Sequence, residues 1–214
     1  MSLNKTIDQK LTEGRSFRPM ELRAIDQDGA FIVEGYATTF NQPYVLYQED
    51  GWTLREQVDS HAFDEADMGD VIMQYDHQGR VFARKSNGTL ELKADDHGLK
   101  VRADLGGTAA GRQLFEEIRG GYTTKMSFGF SVDKDERVTE ETDDHIDVLR
   151  TIRSIKKLYD VSAVSLPAND ATEISARADG EGVIAEAKEE IQRAEGLRAE
   201  KLKALAAIRL LKEI

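Results

Sequence analysis

The chain has 214 residues, 40% hydrophobic and 32% charged with three prolines, enough to bury one sizeable core and too ordered in composition for an intrinsically disordered protein. A net charge of -11 argues against nucleic acid as a direct partner, because affinity for phosphates comes from clustered Lys and Arg. With no cysteine there is no disulfide staple, thiol nucleophile or thiolate zinc site, and neither a signal-like apolar core at the N-terminus nor a run of about 18 apolar residues occurs; the reading is a soluble, unexported protein with no membrane partner.

Residues 1–19 are polar and read as an N-terminal arm, with structure beginning near Met20. From there to Val58 the segments FIVEGYATTF, YVLY and GWTLREQV are rich in β-branched and aromatic residues and are punctuated by Asp28-Gly29 and Asp50-Gly51, which predicts strands joined by tight turns. Ser60 is placed to cap a short helix through HAFDEAD, and VIMQYDH, VFARKS, TLELKAD and LKVRADL predict four strands of an antiparallel meander. Thr108 opens a helix carrying Leu114, Phe115 and Ile118 at helical spacing, and Gly120-Gly121 ends it. Three further strands are expected in KMSFGFSV, in HIDVLRTIRSIKKL (bent or bulged) and in LYDVSAVSL before Pro167.

After about Ala178 the composition turns to Ala, Glu, Lys, Leu and Arg, which predicts a helix over 178–214. Ile184, Ala187, Ile191 and Ala194 form one stripe and Leu202, Leu205 and Ile208 another. A stripe shows burial without naming what covers it, so packing on the chain's own domain and docking on a partner both stand. The division is thus an arm (1–19), a main domain (20–177) and a helical extension (178–214).

Three residues stand out for chemistry. In KMSFGF, strand alternation puts Met126, Phe128 and Phe130 on one face and Ser127, Gly129 and Ser131 on the other. Gly129 leaves room beside the Ser127 hydroxyl, although this is not the glycine-flanked nucleophile elbow of the α/β-hydrolases. A serine nucleophile needs a base, and of His61, His77, His97 and His145 the one ending an apolar strand, His77, has the best-fixed backbone. A carboxylate normally orients such a ring, and Asp160, interrupting LYDVSAVSL, is the candidate. Each has a plainer alternative: a surface serine, a half-exposed structural histidine and an outward-facing strand aspartate.

The ordered run QYDHQGRVFAR, NGTLEL, DDHGLKV, TAAGRQLFEEIRGGY, KMSFGF and RTIRSIKKLYDVSAVSLPAND, over about residues 20–176, resembles the prohead maturation proteases of tailed phages. The resemblance implies a mainly β fold with few helices, a closed or nearly closed β-barrel similar to that of the herpesvirus assembly proteases, plus the C-terminal helix. It implies catalytic Ser127, His77 and Asp160 and no cofactor or metal. Its substrates would be the scaffolding and major capsid proteins and the protease itself, cut inside the assembling prohead in the bacterial host cytoplasm; a homo-oligomer is compatible with it. Self-cleavage would fall at the hinge Arg177–Glu181, and an oxyanion N–H would come from around Pro167–Asn169.

Two departures matter: Asp76-His77-Gln78 stands where the family often has Asn-His-Asp, and Asp160 where it often has glutamate. The shorter acid requires a closer strand, or His97 or Asp76 as the orienting group. Two rival readings stand beside the protease: a non-catalytic scaffold- or capsid-binding module of the same fold, and a metal-dependent hydrolase using Asp76, His77, Asp95, Asp96 and His97, whose strand spacing suits chelation poorly.

Overall fold

Alternation and turn chemistry account for most of the architecture. The computed structural model describes residues 20–165 except 28, 50 and 143, together with helical positions 185, 187–189, 192, 193 and 196. Strands β1 (Met20–Gln27) and β2 (Ala30–Thr39) form a hairpin, as do β3 (Tyr44–Glu49) and β4 (Trp52–Val58). Both turn where the Asp-Gly pairs predict, with Gly29 and Gly51 at φ of 80° and 84°, a region that costs glycine nothing sterically.

The segment 60–65 is a series of turns instead of the predicted helix. Its N–H groups reach back three residues (Ala62 to Asp59, Asp64 to His61, Ala66 to Phe63), and the Asp59 carboxylate takes the His61 N–H at 2.9 Å. Burial of the adjacent side chains Ala62 and Phe63 wins over local helix propensity. Strands β5 (Ile72–Tyr75), β6 (Gln78–Arg84), β7 (Leu90–Ala94) and β8 (Gly98–Asp104) appear where four strands are expected. They make two separate hairpins, β5–β6 and β7–β8, rather than one meander.

Helix α1 (Ala109–Arg119) has Thr108 as its N-cap, accepting from the Gly111 N–H at 2.9 Å, and buries Leu114, Phe115 and Ile118. The remaining strands number two, β9 (Lys125–Glu141) and β10 (Ile146–Val164), because β10 runs unbroken through its bulges.

The sheet path is β3-β4-β10-β9-β1-β2-β8-β7, with β5 joined to β10 and β6. The fold is mainly β with few helices, as expected; the end strands β3 and β7 of this path do not pair, a parallel bridge from Phe40 to Val58 links the end of β2 to that of β4, and closure into the closed or nearly closed barrel that the resemblance implies is not found among the described strands. Its main core includes Val33, Met73, Val101, Met126, Phe128, Phe130, Leu158 and Val161, all at most 1% exposed. Each large side chain buried there is worth about 1.5–3 kcal/mol. A second core joins Leu46, Trp52, Leu54, Ile146 and Val148 to Ala187 of the C-terminal helix, whose Lys188 ammonium lies 5.2 Å from the centre of the Tyr47 ring. Around Ala187, therefore, the helix packs on its own domain. The hinge at 177–181 and the stripe at 202–208 lie outside the described residues.

Candidate active site

Three adjacent strands build the site. β10 pairs in parallel with β5 and antiparallel with β9, giving two cross-strand rows: Ile72, Asp160, Gly129 and Gln74, Ser162, Ser127. Val161, Ala163, Met126 and Phe128 fill the core face, so alternation turns Asp160, Ser162, Ser127 and Gly129 to the other. Ser127 and Ser162 face each other directly across the β9–β10 pair, where opposed Cα atoms are about 4.5–5.5 Å apart. All three polar side chains are buried, with Ser127 4%, Asp160 1% and Ser162 0% exposed.

His77 arrives from a turn and not from the strand end expected of it. Tyr75 pairs with Gln78, and the two residues between them, Asp76 and His77, have φ of 48° and 58°. This is the left-handed pair of a two-residue hairpin loop, uncommon outside glycine although aspartate and histidine are among the residues that adopt it more often. Such conformations cost of order 1–3 kcal/mol and persist where the surroundings hold them. The hold is visible: the Asp76 N–H donates to the Ala163 carbonyl at 2.9 Å, and the Asp76 carboxylate takes the Ser165 N–H at 2.9 Å and its hydroxyl at 3.0 and 3.1 Å. The turn is thus fastened to the end of β10.

So placed, the His77 ring meets Asp160, with Nδ1 to Oδ1 at 2.6 Å. The same oxygen accepts from the Ser162 hydroxyl at 2.8 Å. A carboxylate on Nδ1 favours the neutral tautomer protonated there, which leaves the Nε2 lone pair as the accepting site. The one-methylene-shorter acid reaches the ring unaided. Asp76 is turned to Ser165, and His97 lies edge-on to Tyr36 with ring centres 4.5 Å apart. Ser127 Oγ is buried and makes no hydrogen bond among the described residues.

The other histidines have local roles. His61 pairs with Asp64 at 3.0 Å in an exposed turn, and His145 meets Thr53 Oγ1 at 3.0 Å. Asp95 closes the β7–β8 turn by accepting from the N–H groups of His97 and Gly98, and it takes the Tyr36 hydroxyl on its second oxygen. Among the described residues no group of three or more His, Asp or Glu side chains is arranged to hold a metal ion. The segment Pro167–Asn169 lies outside the described residues. Sequence reasoning passed over Ser162 and Ser165; the only signal for the first was its i+2 spacing from Asp160 on a strand of small residues.

A histidine–carboxylate pair and a strand serine on one sheet face are the components of a serine-hydrolase site. Residues 18–185, most of the chain, match the family model of the caudovirus prohead serine protease. The chain belongs to that family, a family of serine peptidases of the phage prohead. Comparison with curated proteins and with solved structures finds no match.

Proposed function

We propose that this protein is the serine endopeptidase of phage capsid maturation, with Ser127 as nucleophile, His77 as general base and Asp160 as the group that orients and stabilises the imidazole. One observation carries the assignment of residues: the 2.6 Å contact between His77 Nδ1 and Asp160 Oδ1 on the strand next to Ser127. In this reading Ser127 Oγ attacks a peptide carbonyl while His77 Nε2 takes its proton. The tetrahedral intermediate collapses as the imidazolium returns that proton to the departing amine. Water, with His77 again as base, then releases the acid and restores Ser127. Asp160 stays ionised and lowers the energy of the imidazolium in both halves. No metal or cofactor takes part.

Family membership supports capsid-related substrates, and the scaffolding and major capsid proteins, together with the protease itself, are the ones proposed, cut inside the prohead in the host cell. Incubating the purified protein with its cognate capsid and scaffold proteins, beside Ser127→Ala and with or without a chelator, decides between the readings by mass spectrometry. Cleavage lost in the variant and indifferent to chelator is expected. Cleavage that survives the substitution rejects Ser127, chelator sensitivity favours a metal hydrolase, and absence of cleavage by either protein favours a binding module. Ser127→Ala purified alone should remain full-length under conditions where the wild-type chain shortens.

A further inference from the structure

Asp160 is a buried carboxylate with few donors. Its neighbours in register, Ile72 on β5 and Gly129 on β9, offer no polar side chain, and its Oδ2 is buried without a hydrogen-bond partner among the described residues. The donors it does have, His77 Nδ1 at 2.6 Å and Ser162 Oγ at 2.8 Å, converge on Oδ1. Ser162 is fully buried and sits two residues further along the same strand face, so its hydroxyl reaches the carboxylate from a fixed backbone.

We propose that Ser162 is a positioning residue of the site, its hydroxyl fixing the rotation of the Asp160 carboxylate so that Oδ1 points at His77 Nδ1. This rests on the catalytic reading above and deepens it. Two physical consequences follow. A buried carboxylate needs hydrogen bonds in place of its lost water, and of the two on Oδ1 Ser162 supplies one. A carboxylate held by a single donor can also swing about its Cβ–Cγ bond, and His77 then loses the partner that selects its Nδ1-protonated tautomer. His77 is the titratable side chain bonded to Asp160; Asp76, next to it in the turn, is engaged by Ser165.

The test compares the full chain with Ser162→Ala and Ser162→Thr, the second of which keeps a hydroxyl, and with Ser162→Cys should alanine fail to give a native circular dichroism spectrum. Each is treated with a fluorophosphonate, in which a serine oxygen displaces fluoride from phosphorus, so no peptide substrate is needed. The labelling rate at Ser127, located by peptide mapping, should fall about tenfold in Ser162→Ala and return to within about twofold of wild type in Ser162→Thr, since a fixed orienting hydrogen bond to an ionised group contributes on the order of that factor. A fall in thermal stability with an unchanged labelling rate would make Ser162 structural only and overturn the proposal.

Nitrogen-15 NMR of the His77 ring separates this from failure of the catalytic reading. If Ser127 is not labelled in the wild-type chain, that reading falls, yet the ring still reports: Nδ1-protonated in wild type and the threonine variant, mixed in alanine. A ring tautomer unchanged in Ser162→Ala overturns the positioning role in that case.

Discussion

Exchanging Asp160 for asparagine changes little in shape and tests the His77 contact directly. The native carboxylate takes both donors on Oδ1 while Oδ2 is buried and unbonded among the described residues. If the amide kept its oxygen in the Oδ1 position, its NH2 would lie where Oδ2 now stands, a buried donor without a partner costing about 1–3 kcal/mol. Turned over, it would present NH2 to His77 and to Ser162, and the ring would have to accept at Nδ1 and carry its proton on Nε2, the nitrogen required to accept from Ser127. In either orientation the negative charge beside the imidazolium is gone. Unit charges about 4 Å apart at an effective dielectric of about 20 interact by about 4 kcal/mol, and at 1.36 kcal/mol per tenfold this is a rate loss of about a thousandfold. Asp160→Asn should therefore lose about 10³ in kcat/KM on a capsid-protein substrate at neutral pH, and keep a cooperative thermal transition. A variant folded like the wild type and within tenfold of its activity would refute the role given to Asp160.

Asp76→Ala removes the acceptor of three Ser165 contacts and puts alanine at φ of 48°, so about 1–3 kcal/mol of stability should be lost, measured by urea unfolding, together with about tenfold in activity as the His77 turn loosens; Asp76→Asn should lie closer to wild type in both. Phe128, fully buried with its ring stacked on Phe130 at 4.5 Å and 11°, should cost about 3–5 kcal/mol on replacement by alanine, read as a lowered urea midpoint. Stability should also fall with acid. The His61 N–H bond, followed by Arg153 and opposed by partial burial, holds the Asp59 carboxyl below its usual value, so its contribution is present above the unfolded pKa of about 3.9 and is lost as pH drops through the folded one. Urea midpoints at pH 6, 4 and 3 should fall progressively, and Asp59→Asn should reduce the slope below pH 4.

The sequence made the local features legible and left the long-range ones out of reach. Asp28-Gly29, Asp50-Gly51 and the Thr108 cap are decided by backbone chemistry within a few residues, and the structure places turns and helix there. Asp76-His77 is not one of the residue pairs that announce a left-handed turn, so His77 reads as the last residue of a strand. Its contact with Asp160 spans 83 positions and depends on β5 lying parallel to β10, a pairing that no local pattern encodes. With forty acidic residues in the chain, spacing alone could not select this one. The Ser60 segment failed for another reason: its cap-like start is local, whereas the burial of Ala62 and Phe63 together is tertiary.

The bulges of β10 explain how a single strand serves both core and site. Its core residues Ile152, Ile155, Leu158 and Val161 recur every third position, which strict alternation forbids. On β9 the partners of Ile155, Leu158 and Val161 are Val132, Phe130 and Phe128, spaced by two, so β10 spends three residues for every two opposite it. Each interval contains a register shift, the last between Leu158 and Asp160. Without that shift Asp160 would share the face of Leu158 and point its carboxylate among the phenylalanines, since a one-residue slip exchanges the two faces of a strand. With it, Leu158 and Val161 both remain in the core and Asp160 emerges beside Gly129, on the face that carries Ser127. The irregularity that hid this strand's pattern in the sequence is therefore what brings the acid to His77.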